Sequence, residues 1–220
     1  MVYVPGGEIA IGDKKVEVKP FYIMESEVTW NLYDVFYLRL DMTEDQRAAN
    51  HDAASRPSRP YGAVDRGFGH SGYPAIGLTS HASETFAKWL SAKMGRAYRV
   101  PTEAEWELAA RAGGAMPTPI EEYAIFWDNS DDKTAPVKSK KPNAWGLYDM
   151  LGNASEWAYG LDGTLTTTGG HFLTEKADLT FSLREPYSIR WQDRDPQQPK
   201  SKWWLSDGPH VGLRLVISAE

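Results

Sequence analysis

The sequence predicts an α+β protein, with about three helices set in a frame of short strands and long loops. Three observations carry this. Nine Trp and eleven Tyr in 220 residues are many for the size. Gly and Pro number 19 and 14, a mix that suits long connections packed through aromatics better than a helical bundle. Finally, apolar residues recur at helical spacing in only three places. The length fits a single domain over residues 1–220, large enough to bury a substantial core.

Each element follows from local pattern. Glu8–Gly12 and Lys15–Val18 alternate around an Asp13-Lys14 turn, which predicts a strand pair. A helix is expected from Thr29, with Leu32, Val35, Phe36 and Leu40 on its buried face. Residues 41–75 are polar and turn-rich and read as a long surface excursion. A second helix is expected over Ser80–Met94, with Ala82, Phe86, Trp89 and Leu90 inward and Gly95 as its left-handed cap. The third follows Pro101: Thr102 and Glu105 form a capping box, and Gly113-Gly114 stops the helix. Glu103, Glu105, Glu107 and Arg111 are therefore read as architecture first. Short turn-separated segments lead to a terminal strand over residues 210–217.

Composition narrows the function classes. A net charge of −6 and a pI near 5.4 argue against a nucleic-acid surface. No apolar run approaches the roughly 20 residues that span a bilayer, so no membrane partner is expected, and a soluble monomer is the expected form. The start carries no basic-then-apolar secretion signal; the compartment stays open, export included. There is no cysteine, which removes disulfides and thiolate metal sites.

The densest stretch is Asn143–Trp157, NAWGLYDMLGNASEW. Asp149 and Glu156 lie seven apart with Gly152-Asn153 between them. Such a loop can offer a hard cation carboxylates and carbonyls together. The alternative is a Gly-Asn turn leading into a buried Trp-rich strand, with both acids solvated.

This stretch resembles the signature of the formylglycine-generating enzyme family, the sulfatase-modifying factors. Other landmarks resemble the family in the same order. They are Val4-Pro5-Gly6-Gly7, Pro20-Phe21-Tyr22-Ile23, Glu27-Val28-Thr29, Tyr98–Glu107 (YRVPTEAEWE), Gly169-Gly170 and Val211–Val216 (VGLRLV). The resemblance covers essentially the whole chain. It implies a formylglycine-generating-enzyme-like fold of the C-type-lectin type, with long loops. It also implies a calcium ion held by the Asp149 and Glu156 side chains and the Gly152 and Ala154 carbonyls. Asn129 and Asp131, in the oxygen-rich Asn129–Asp132, are a candidate second calcium site altered in spacing.

The departure from the family is as informative. Catalytic members carry a copper-binding cysteine pair shortly after the Gly-Gly segment. Counting from Gly169-Gly170, Thr174 and Leu179 stand in those places, and neither can serve as a soft ligand. Copper-dependent formylglycine formation is therefore not expected.

Two function classes remain. One is a calcium-stabilised domain that binds a small molecule, glycan or peptide in a groove built from His171, Thr174, Arg184, Arg190, Trp191, Trp203 and Trp204. Arginine beside tryptophan can stack on a ligand and pair with its acids. The blander alternative pairs Arg184 and Arg190 with acids such as Glu185 and Asp193, and buries the tryptophans. The other class is a non-haem metal enzyme, its ion (iron or another transition metal) held by His171, His210 and a carboxylate such as Asp207. Of the other histidines, His51 and His70 are expected to be solvated, and His81 to sit in the first turn of a helix.

Overall fold

In a computed structural model, residues 1–49 and 55–219 are described; His51 lies outside them. Among the described residues, three small sheets and four α-helices surround two cores that contain many aromatic side chains. Strands β1 (Val2–Val4), β4 (Phe21–Ile23) and β9 (Val216–Ser218) form one antiparallel sheet. Strands β2 (Gly7–Ile11) and β3 (Lys14–Val18) make the expected hairpin. The third sheet has the order β7-β6-β5-β8, from β5 (Ser155–Tyr159), β6 (Leu165–Thr168), β7 (Arg184–Pro186) and β8 (Val211–Gly212). The segment expected as one terminal strand is thus split. Its halves β8 and β9 join different sheets, and Leu213, Arg214 and Leu215 cross between them.

Helix α1 spans Trp30–Tyr37, α2 Glu44–Ala49, α3 Ser80–Met94 and α4 Glu103–Arg111. Short α2 falls inside the stretch expected to be an irregular excursion. Thr79 caps α3 by accepting from the Ala82 N–H, and Gly95 closes it at φ 66°. The capping box on α4 forms as expected between Thr102 and Glu105. In α1 the buried face is Trp30, Tyr33, Phe36 and Tyr37, and Leu40 is exposed. Aromatic packing from Phe86 and Trp204 set that face one position away from the expected aliphatic one. None of the described helices is long and apolar enough to cross a membrane.

The loop Asp149–Ala154 is buried rather than solvated. Gly152 adopts φ +74°, and a Cβ there would stand 2.0 Å from the Ile125 carbonyl oxygen, so no other residue fits without moving the neighbouring segment. At the end of this loop Arg214 and Glu156 form a fully buried pair. The guanidinium donates to both Glu156 oxygens and to the carbonyls of Met24 and Tyr148.

His70, expected in solvent, ties the excursion to α1. Its ring nitrogens lie 2.7 Å from Asp34 and 3.1 Å from Asp65, and the ring stacks on Trp30. Burial opposes its charge, but the two carboxylates outweigh burial and raise its pKa.

Two outcomes follow. Arg214→Met strands the Glu156 charge in the interior and should cost about 3–5 kcal/mol in urea unfolding. By contrast, Glu25→Gln at the half-exposed Lys138 pair should stay within about 1 kcal/mol. A folded-state pKa raised above 6.5 means that the His70 contribution is complete below that pH and fades as pH rises through the raised value. The denaturation midpoint should therefore decline from near neutral pH upward, and His70→Gln should remove that part of the decline.

Candidate metal centre

Three segments converge beside the β7-β6-β5-β8 sheet. His171 follows the Gly169-Gly170 turn after β6, Glu185 lies on β7 opposite Thr167, and His210 immediately precedes β8. One ligand atom from each residue lies within 4.8 Å of the others. The imidazoles of His171 and His210 lie 4.2 Å apart between centroids, tilted by 31°. His171 Nε2 is 3.5 Å from Glu185 Oε2, and that buried oxygen has no hydrogen-bond partner. A carboxylate oxygen in ion-pair reach of one imidazole and beside a second is a donor set of the kind that can hold a cation.

The local structure holds these groups in place. The His171 N–H donates to Thr174 Oγ1, and the Leu173 N–H donates back to His171 Nδ1. The His210 carbonyl accepts from the Ser155 N–H and hydroxyl. Trp191, half-buried, stands edge-on to His210 at 5.2 Å and to Tyr187 at 5.9 Å. Burial, and then the neighbouring His171, push the His210 pKa down to about 4, against Glu185. His171 in turn holds the Glu185 carboxyl below its ordinary value despite partial burial. At neutral pH, His210 is thus neutral and Glu185 ionised, the forms that bind metals.

The carboxylate is therefore not Asp207, which is engaged by Arg194 and Ser206. Glu185 entered the sequence reading only as an ion-pair partner. Its proximity depends on strand pairing that spacing does not reveal.

The expected groove is only partly assembled. Thr174 and Trp191 accompany His171. Trp203 and Trp204 do not: they are buried against Phe36, Tyr33 and Tyr37, because the adjoining helix face is aromatic. Arg184 is taken up by Glu103 and Glu107 of α4, at 2.9 and 2.5 Å, and Arg190 is exposed on the turn Ile189–Gln192. Glu185 and Asp193 are thus not the partners of these arginines that the blander reading named, although Arg184 is internally paired as it foresaw.

The expected calcium loop gains a member. Glu27 Oε1 accepts from Asn153 Nδ2 and the Ala154 N–H, while its buried Oε2 has no partner. Burial, then the charges of Asp149 and Glu156, raise the Glu27 pKa well above the ordinary value, against Arg214. Asp149 is also raised, first by burial. Its Oδ2 accepts the Lys138 N–H, and the Glu156 oxygens accept from Arg214 and Trp106. At the candidate second site, Asn129 already has partners within the chain. Its side chain caps a turn, accepting from the Phe126 N–H and donating to the Ala124 carbonyl, and Asp131 is exposed.

The arrangement is that of a formylglycine-generating-enzyme-like domain without cysteine. Over residues 1–219 the chain matches the family described as sulfatase-modifying factor enzyme 1-like domain, and it belongs to that family. It is 32% identical over 183 residues to the serine/threonine-protein kinase pkn1 of Chlamydia pneumoniae, covering 74% of this chain and 28% of that protein. It is 28% identical over 216 residues to the formylglycine-generating enzyme of Streptomyces coelicolor, covering 71% and 67%. The chain thus spans about a quarter of the length of the chlamydial proteins it matches. Among solved structures, Treponema denticola variable protein 1 superposes with TM-score 0.71 at 20% identity, over 100% of this chain and 95% of that one. PvdO from Pseudomonas aeruginosa superposes with TM-score 0.67 at 24% identity, over 99% and 93%.

Proposed function

We propose that this chain is a non-haem metal-binding member of the family. In this reading imidazole and carboxylate ligands from His171, Glu185 and His210 serve where catalytic relatives use thiols. The observation that carries it is the convergence of three ligand atoms within 4.8 Å, one of them an otherwise unpartnered carboxylate oxygen. Two imidazoles and one carboxylate on a face with open positions suit ferrous iron, and the same donors accept zinc or copper(II). Such an ion would supply Lewis-acid or redox chemistry to a bound small molecule, glycan or peptide. The surroundings keep His210 neutral and Glu185 ionised. Trp191 and Tyr187 give a substrate an aromatic wall beside them.

The test is metal analysis of chelator-stripped protein after anaerobic titration with ferrous ion and, separately, zinc. One ion per chain is expected, with at least tenfold weaker binding in His171→Ala, His210→Ala and Glu185→Ala. Equal loading of the wild type and a triple alanine variant would end this reading.

A second reading, calcium stabilisation at the signature loop, is supported by charge. Among the described residues, the one cation that Glu27, Asp149 and Glu156 face is Arg214, which leaves two carboxylates unbalanced, the charge of one divalent cation. With the Glu156 oxygens on Arg214, Asp149 and Glu27 are the freer donors, and the Gly152 and Ala154 carbonyls are the neutral ones. Calcium at a hundred times its dissociation constant would add about 2.7 kcal/mol. Chelation should lower the melting midpoint of the wild type and leave Asp149→Asn unmoved. An unchanged wild-type midpoint would mean that the two acids are balanced by a proton instead.

A further inference from the structure

A second concavity of about 340 Å³ opens between the 58–66 stretch and the 194–206 stretch. No residue of the His171–Glu185–His210 cluster lines it. Its volume lies in the range of small-molecule sites. Its apolar lining includes Val64, Ile76 and the largely buried Trp204, and three arginines, Arg59, Arg66 and Arg194, line it together with Ser58, Asp195, Gln197, Ser201 and Ser206.

The charge inventory identifies what fits. The one acid in the lining, Asp195, has both oxygens committed, to the N–H groups of Gln197 and Ser201. Asp207, just outside the lining, pairs with Arg194. Arg66 donates to the carbonyls of Leu205 and Ser206 at 2.9 and 3.0 Å, which fixes its guanidinium without neutralising it. Burial and then the charge of Arg194, which lines the same cavity, hold its pKa below the ordinary value, against Asp207. Arg59 has no ion partner among the described residues. Three guanidinium groups against two carboxylates leave one positive charge in excess, in a chain that is otherwise acidic.

The geometry points to a binding site for a small organic carboxylate with an apolar body: the acid lies against the arginines and the body over Trp204, Ile76 and Val64. A monoanion meets the single excess charge, whereas a dianionic phosphate ester would leave one negative charge unbalanced in the cleft. Guanidinium groups present the planar donor fork that a carboxylate accepts in bidentate fashion. The acid could belong to a free aliphatic acid or to a peptide C-terminus, and the probes separate these sources.

The experiment is isothermal titration of the full chain with hexanoate, N-acetylphenylalanine and N-acetylphenylalaninamide. Saturable one-site binding of one or both acids, without binding of the amide, is expected. Tighter binding of hexanoate points to an aliphatic acid, and tighter binding of N-acetylphenylalanine to a peptide terminus. Arg59→Gln and Arg194→Gln should each weaken binding about tenfold, with melting midpoint and circular dichroism monitored for both. Arg59 is exposed and unpaired among the described residues, so its variant reports on binding even if Arg194→Gln loosens its loop. His171→Ala should bind the acid like the wild type. The proposal is overturned if acid and amide bind alike, if neither acid binds, if Arg59→Gln binds with full affinity, or if His171→Ala abolishes binding.

Discussion

The buried pair of Glu156 and Arg214 is the constraint around which the rest of this structure is arranged. Both side chains are essentially inaccessible, and an ion pair in that position tolerates no slack, because any lost hydrogen bond leaves a charge in low dielectric. Each nitrogen of Arg214 has a partner: Glu156, and the carbonyls of Met24, Tyr148 and Asp149. One side chain thereby fixes the end of β4, the signature loop and the crossing between β8 and β9. The split of the terminal segment into two strands follows from this. Arg214 has to turn inward at the crossing, and a continuous strand would have carried one sheet past that point.

The same loop positions the histidines. Gly152 donates to the Gly169 carbonyl, Phe172 donates to Asn153, and Ser155 donates to the His210 carbonyl. The segments bearing His171 and His210 are thus both hydrogen-bonded to the loop that Glu156 and Arg214 anchor. The signature motif acts on the candidate centre through its backbone. This gives its glycines and buried acids a physical reason that does not depend on the chemistry performed nearby.

Much of the frame was legible in the sequence, since its signals are local. The Thr102–Glu105 capping box, the Gly95 cap and the β2–β3 hairpin depend on residues a few positions apart, and each formed where the pattern placed it. The less legible features rest on long-range partners. His70 looked solvated because Asp34 lies 36 residues away, and Arg184 looked available because Glu103 and Glu107 sit on a distant helix. Trp203 and Trp204 looked like ligand-facing rings because their neighbours are charged and proline-rich. In space, α1 offers them an aromatic face, and its burial outweighs the polar flanks. For the candidate centre, the two histidines were candidate ligands whose meeting the sequence did not show, and the carboxylate named with them was another one. Glu185 reaches them through its register with Thr167 on β6, and Asp207, close to His210 in sequence, is diverted by Arg194.

The absence of cysteine changes the chemistry without disturbing the scaffold. At the turn that precedes the former thiol positions, a Cβ on Gly170 would lie 2.9 Å from Leu179 Cδ1 and 3.0 Å from Thr174 Oγ1. The two residues counted into the thiol places thus both pack against this turn. Thr174 also receives the His171 N–H, so a hydroxyl now orients a candidate ligand where a thiolate would have been one. Leu179 joins the core and closes the second place to any ion. The chain thus offers no soft sulfur pair, and Thr174 and Leu179 pack against the turn, while the imidazole and carboxylate donors of His171, Glu185 and His210 gather nearby. Because imidazole and carboxylate prefer a different set of ions from thiolate, a cation bound here would differ from copper(I) in identity as well as in position.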